Sequence, residues 1–210
     1  LLQNRGELKR VVDEIDRVFA NQPVEHAALR ELDVTENVVK EALRLHPPLF
    51  MLVRVCKQDF VYKNYFIPAG TWILVSPTVA HRIPSVFANP DRFEPDRFAP
   101  PREEDKRDFA YIAFGGGRHK CLGNAFAILQ IKAILAMLLG QYEFELGGDK
   151  IEADFHGLVI GPKTPCRIRY RRRANPSITI SKGEELRKVA TQPPAAAAAA
   201  AGCPVDHQAM

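Results

Sequence analysis

The sequence predicts a mainly α-helical fold with small β-sheets. Three observations lead there. Apolar residues recur at helical spacing in residues 7–20 and again after Thr35. A third helical run, from about Cys121 to Leu139, is apolar almost throughout. Short β-type runs broken by Asn, Gly and Pro fill residues 49–75 and 142–172. A chain of 210 residues is long enough to bury one ordinary core. Its 46% hydrophobic and 26% charged content is that of a globular protein, and a net charge of +4 is too mild to imply nucleic acid.

The first helix carries Leu8, Val11, Val12, Ile15, Val18 and Phe19 on one side. Thr35 is the expected cap of the second, with Val38, Val39, Ala42 and Leu43 as its stripe. His46-Pro47-Pro48 ends it, because proline disfavours helix at the residue before it. The runs "LFMLVRV", "DFVY" and "YFIPAGTWILV" read as strands, with Asn64 at a turn. Residues 83–108 read as a long coil anchored by Phe87, Phe93 and Phe98. The third helix is apolar enough to suggest a membrane span, but Asn124, Gln130 and Lys132 argue for a buried core helix, since a mid-bilayer Lys costs about 3 kcal/mol. The strands "YEFEL", "GLVIG" and "CRIRYRR" follow. The expected body is 1–180, and 181–210 is a tail whose Ala run, set off by Pro193 and Pro194, has the composition of a linker. Leu1-Leu2-Gln3-Asn4 lacks an initiator Met, so a fragment is expected.

Cys56, Cys121, Cys166 and Cys203 lack the short spacing of zinc or dithiol motifs and are too sparse for a disulfide framework. A reducing compartment follows, and no signal peptide is recognisable. A cytoplasmic, bacterial-type setting is expected; the alternative is a membrane anchor on an N-terminal segment outside this sequence.

The densest chemistry lies in "AFGGGRHKCLGNAFA", residues 113–127. A haem iron with a sulfur ligand needs a thiolate, which a helix N-terminus and nearby cations favour. It needs backbone able to approach the porphyrin, which glycine allows. It also needs cations for two propionates. Gly115, Gly116, Gly117, Arg118, His119, Lys120, Cys121 and Gly123 offer these in order. The plainer alternative is a glycine-rich turn with an inert cysteine. A phosphate loop would need Gly-Lys-Ser/Thr, which is absent, and the spacing does not fit a dinucleotide fingerprint.

The stretch Phe114-Gly-Gly-Gly-Arg-His-Lys-Cys121-Leu-Gly123 resembles the haem-binding signature of the cytochrome P-450 superfamily. The resemblance implies the C-terminal half of that fold and haem b (iron protoporphyrin IX) as cofactor. It makes Cys121 the metal ligand and catalytic residue, with Phe114, Gly115, Gly117, His119 and Gly123 around the cofactor. Glu41 and Arg44, three apart on one helix, would alone be read as a solvated pair. With Arg97 in Phe93-Glu94-Pro95-Asp96-Arg97-Phe98 they resemble the superfamily's structural Glu-x-x-Arg and Phe-x-Pro-x-Arg-Phe motifs, Asp96 standing where Glu is commoner. Arg54, in an apolar strand, is either surface-facing or, as the resemblance implies, a propionate partner.

Within the superfamily, "LRLHPPLFMLVRV", "QIKAI" and "RYRRR" resemble the sterol 14α-demethylase branch, with Gly116 and Lys120 as departures from the expected Ala and Arg. The resemblance implies oxidative removal of a sterol 14α-methyl group with O2 and electrons from a ferredoxin or flavoprotein partner; fusion of that partner downstream and a tail that simply ends are the two alternatives for the Ala-rich segment. Leu49, Phe50, Met51, Leu52, Leu158 and Val159 become substrate-facing candidates, with core packing as the alternative for each. The oxygen-activating acid–alcohol helix and distal haem wall lie outside this sequence, so the fragment alone is expected to be inactive. The alternatives are a haem-thiolate hydroxylase of another lipid or small apolar substrate, and a haem-binding electron carrier or sensor. Arg167, Arg169 and Arg171 alternate along one strand face and suit a solvated edge better than nucleic acid.

Overall fold

The structure is a computed structural model that describes residues 1–20, 24–148, 151–157 and 159–178. The expected tail and Leu158 lie outside the described residues. Helices α1 (Arg5–Phe19), α2 (His26–Arg30) and α3 (Asp33–Leu45) come first. Strands β1 (Leu52–Val55), β2 (Phe60–Tyr62), β3 (Tyr65–Ile67) and β4 (Trp72–Val75) follow, then a short helix α4 (Pro77–Ala80). A long irregular segment leads to helix α5 (Asn124–Gln141), and β5 (Tyr142–Leu146), β6 (Ala153–Asp154), β7 (Gly161–Pro162) and β8 (Ile168–Arg172) close the described chain.

The core forms where the helical stripes meet. Val11, Ile15, Val18 and Phe19 of α1 pack with Leu29, Leu32, Val38, Ala136, Leu139 and Ile178 in one buried cluster. Each large aliphatic side chain removed from water contributes about 1.5–3 kcal/mol. α5 packs on α1, α2 and α3. It is long and apolar enough to cross a membrane by composition. Yet Lys132 is buried within the protein and bonded to Glu36 Oε2 at 3.0 Å. Ala136, Leu139 and Gly140 are buried, whereas Phe126, Ile134 and Leu138 are exposed.

Thr35 does not cap α3. The helix starts at Asp33, with Leu32 at the cap position and no cap from that side chain. Instead α1 donates a carboxylate: Glu14 accepts from Val34 N at 2.8 Å, Thr35 N at 2.8 Å and Thr35 Oγ1 at 2.7 Å. The free N–H groups of the first turn are thus met by a side chain from another helix. The other end matches expectation, at Leu45 before the double proline.

The described strands form four antiparallel pairs: β1 with β4, β2 with β3, β5 with β8, and β6 with β7. Lys63, at φ 53°, helps turn the β2–β3 hairpin. Of the expected strand "GLVIG", Gly161 pairs with β6 as part of β7, and Leu158 lies outside the described residues. In β5–β8, Glu143 and Glu145 stand opposite Arg171 and Arg169, so this cationic run meets carboxylates, and Arg171 bonds Glu143 Oε2 at 2.7 Å. Residues 83–108 are irregular apart from 3-10 turns at Pro95–Phe98 and Glu104–Lys106. Phe87 and Phe98 are buried there as anchors, and Phe93 packs on the helical core.

Candidate functional site

Beneath the cysteine loop sits a charged cluster with no exposure to water. Glu41, Arg44 and Arg97 are each 0% exposed. Arg44 bonds Glu41 through Nε at 2.7 Å and Nη2 at 2.9 Å, and Arg97 Nε reaches Glu41 Oε1 at 3.1 Å. Glu94 N adds a 2.8 Å bond to the same carboxylate. The remaining guanidinium protons fasten the long coil. Arg44 donates to the carbonyls of His81, Pro90 and Arg92, and Arg97 to that of Ala88 and to Glu104 Oε2. Such satisfaction is what lets buried charges persist. The solvated-pair reading of Glu41 and Arg44 is therefore excluded.

His81 was not singled out from the sequence, where one histidine in "VAHRIP" carries no special signal. It is fully buried, with Nδ1 3.1 Å from the Arg44 carbonyl and Nε2 2.9 Å from the Ile112 amide nitrogen. Tyr111 stacks on it at 5.3 Å and Phe87 meets it edge-on at 6.0 Å. Burial lowers its pKa to about 4, and burial likewise pushes the Tyr111 phenol up. Glu104 was also missed. Arg102 and Arg97 hold its carboxyl below the usual range against the opposing effect of burial.

Above this frame the cysteine loop closes on itself. Gly115 N donates to Ile112 O at 2.9 Å, Lys120 N to Gly117 O at 3.1 Å and Cys121 N to Phe114 O at 2.8 Å. Gly115 and Gly117 have φ of +75° and +63°, which side chains with a Cβ rarely adopt. A Cβ at Gly115 would also stand 3.3 Å from the His119 carbonyl. Gly116 is different. Its φ of −152° suits any residue, but a Cβ there would meet the Phe109 ring at 2.9 Å. Glycine in place of the expected alanine leaves that ring where it lies, and the alanine would need the exposed Phe109 side chain to shift. Gly123 stands at the cap position of α5, and a Cβ there would lie 3.9 Å from Cys121 Sγ, in ordinary contact with the sulfur.

Cys121 is exposed, next to the fully exposed Leu122 and just before α5, whose first turn carries the exposed Phe126. Arg118, His119 and Lys120 are exposed, and their side chains bond to nothing among the described residues. An open thiol on apolar ground, with unspent cations just before it, fits a flat apolar group carrying two carboxylates. A cavity of about 860 Å³ lies beside the loop, between α2, α3 and α5. Phe114, Gly115 and Lys120 line it, whereas Cys121 does not.

The two segments expected to face substrate lie side by side where the structure describes them. Ile160 N donates to Pro48 O at 2.8 Å, and Phe155 meets Phe50 edge-on at 6.3 Å. Leu49, Met51 and Val159 are exposed, Phe50 and Leu52 half-buried. Arg54 lies on a solvent-facing stretch of β1, where, among the described residues, Nη1 bonds only the neighbouring Val53 carbonyl, at 2.8 Å.

The Cytochrome P450 family model matches residues 1–167. A "Sterol 14-demethylase" from Arabidopsis thaliana is 44% identical over 82% of this chain and 37% of its own length. An "Obtusifoliol 14-alpha demethylase" from Sorghum bicolor is 49% identical over 71% of this chain and 32% of its own. A "Sterol 14alpha-demethylase" from Mycobacterium tuberculosis is 42% identical over 82% and 39%. Among solved structures, "Retinoic acid bound cyanobacterial CYP120A1" aligns with a TM-score of 0.76 and 27% identity, covering 82% of this chain and 40% of that one. The chain thus spans about two fifths of the length of the relatives it matches. A family match through 167 residues, with a solved relative of the same fold, makes this chain a member of the cytochrome P450 family.

Proposed function

We propose that the protein is a haem-thiolate monooxygenase that oxidatively removes the 14α-methyl group of a sterol, using O2 and electrons from a redox partner. One observation carries the proposal: relatives from plants and a mycobacterium, each named as a 14-demethylase, are 42–49% identical to this chain. Family membership implies haem b as cofactor. Cys121 is the proposed iron ligand, presented at the loop mouth by its own backbone bond to Phe114. Gly115, Gly117 and Gly123 keep the backbone bare enough for close approach. His119 and Arg54 are the proposed propionate donors, each with most of its donors unspent. When bound, the haem supplies an iron able to bind and activate O2, and a thiolate ligand favours O–O cleavage.

Leu49, Phe50, Met51, Leu52 and Val159 form the proposed apolar wall against the sterol, joined by the Ile160–Pro48 bond. Leu158, outside the described residues, is proposed for the same wall. Arg118 and Lys120 beside the cysteine suit an acidic ferredoxin or flavoprotein, whose approach a cationic face steers. We read the Ala-rich tail as a linker to such a partner, and the setting as cytoplasmic. Turnover of the complete protein with a reductase and no added ferredoxin tests the fusion; an absolute need for added ferredoxin counts against it.

A second reading, hydroxylation of another apolar lipid, is favoured by the solved relative that holds retinoic acid. Binding spectra with a lanosterol-type sterol against fatty acids and retinoids separate the two. For the ligand itself, the reduced, carbon-monoxide-bound protein is expected to absorb at the thiolate position, and Cys121→Ser to lose that band.

A further inference from the structure

We infer that, given haem-thiolate chemistry at Cys121 as proposed above, His81 is a positioning residue that ties the buried Glu41–Arg44 cluster to the backbone of the cysteine loop. Its two ring nitrogens face partners of opposite kind. The Arg44 carbonyl can only accept and the Ile112 amide can only donate. The imidazole is therefore neutral, with Nδ1–H donating to Arg44 and the Nε2 lone pair accepting from Ile112. The His81 carbonyl in turn accepts Arg44 Nη1 at 2.7 Å, so one arginine fixes both the backbone and the ring. Tyr111 on one face and Phe87 at the edge leave the ring no room to turn.

From Ile112 the path continues without a gap. Its carbonyl accepts Gly115 N at 2.9 Å, and the Phe114 carbonyl accepts Cys121 N at 2.8 Å. Ile112 N is buried, and His81 is the acceptor the structure gives it. The other fastener in this segment, the Tyr111 hydroxyl on the Lys40 carbonyl at 3.2 Å, acts one residue earlier and does not touch the loop backbone. His81 thus sets the height and tilt at which the loop presents its sulfur, without meeting cofactor or substrate.

The test uses protein produced from its complete coding sequence and loaded with haem. His81→Gln places an amide oxygen where Nε2 was and keeps an acceptor for Ile112. His81→Asn reaches only the Arg44 carbonyl. His81→Phe keeps the stacked ring and loses both bonds. The readouts are the share of the reduced carbon-monoxide complex at the thiolate position, haem content and the melting midpoint. In the Asn and Phe variants, the ratio of seated to displaced sulfur is expected to fall roughly tenfold, with a shorter-wavelength band replacing the thiolate band, while Gln stays within about twofold of wild type. Melting midpoints that fall while all three variants keep the full thiolate band overturn the link, as does a Gln variant that loses the band as completely as Phe. If the Phe variant does not take up haem, the contrast between Asn and Gln decides alone. A wild-type protein without the thiolate band overturns the haem-thiolate proposal and the link together.

Discussion

Glu41 is a carboxylate cut off from water, and donors from α3, the Glu94 amide and Arg97 take the place of its hydration shell. Arg44→Ala leaves it short of two of those bonds and is expected to cost about 3–5 kcal/mol. The complete protein should then fail to incorporate haem, measured as Soret absorbance per polypeptide; a haem-loaded variant of normal stability would refute this. Gly115→Ala forces a Cβ into a left-handed turn and should destabilise by about 1–3 kcal/mol, read by thermal melting. His81 sets a pH dependence. Its pKa is about 4 in the folded protein and about 6.5 in the unfolded chain, so the unfolded chain binds more protons between those values. Stability from this residue is full above 6.5 and is lost as pH falls towards 4, by roughly 3 kcal/mol in total. Denaturant titrations across that window should show the decline, and His81→Phe should flatten it.

At the level of elements, α3 is capped by a residue of α1. Glu14→Ala removes the acceptor for three donors and should cost about 2 kcal/mol or more by denaturant unfolding. In β5–β8, Gly147 N bonds Arg167 O at 2.8 Å, and a Cβ at Gly147 would stand 2.7 Å from that same oxygen. Gly147→Ala should spread the end of the pair and cost about 1–3 kcal/mol, with loss of amide protection along β8. Periodicity made α1 and α3 legible in the sequence, because their apolar stripes are local patterns that the core then used. The end of α3 was legible for a local reason too, the double proline. The cap of α3 was not, since Glu14 lies on another helix and only the fold brings it to Thr35. Of the expected strand "GLVIG", Gly161 is the residue that pairs with β6 among those described, a pairing that local apolar content could not set. In the site, Cys121 and the Glu41–Arg44–Arg97 set could be found as motifs. His81 and Glu104 could not, because their work depends on partners 31 and 7 residues away.

At the scale of the molecule, much apolar surface lies open. Leu122, Phe126, Ile134 and Leu138 of the cysteine–α5 segment are exposed, as are Val61, Tyr65, Phe66 and Trp72 among the strands. Apolar side chains exposed in such number ordinarily mark surface made to be covered. The 210-residue chain produced alone is therefore expected to bind an environment-sensitive apolar dye strongly; weak binding would show that these side chains are covered in solution. The long coil has another fastening altogether. Its His81, Ala88, Pro90 and Arg92 carbonyls are held by two guanidinium groups, and Arg44 lies 37 to 48 residues upstream of those it holds. On a translating ribosome, α3 emerges long before the carbonyls that its arginine needs. Glu41 and Arg44 must then keep their water until Arg97 has also left the exit tunnel. Only at that moment can the pair dry, and the coil from His81 to Arg97 condense in one step rather than residue by residue. A nascent chain stalled between Arg44 and Arg97 would hold a finished helix with a wet ion pair on the face that should be its driest.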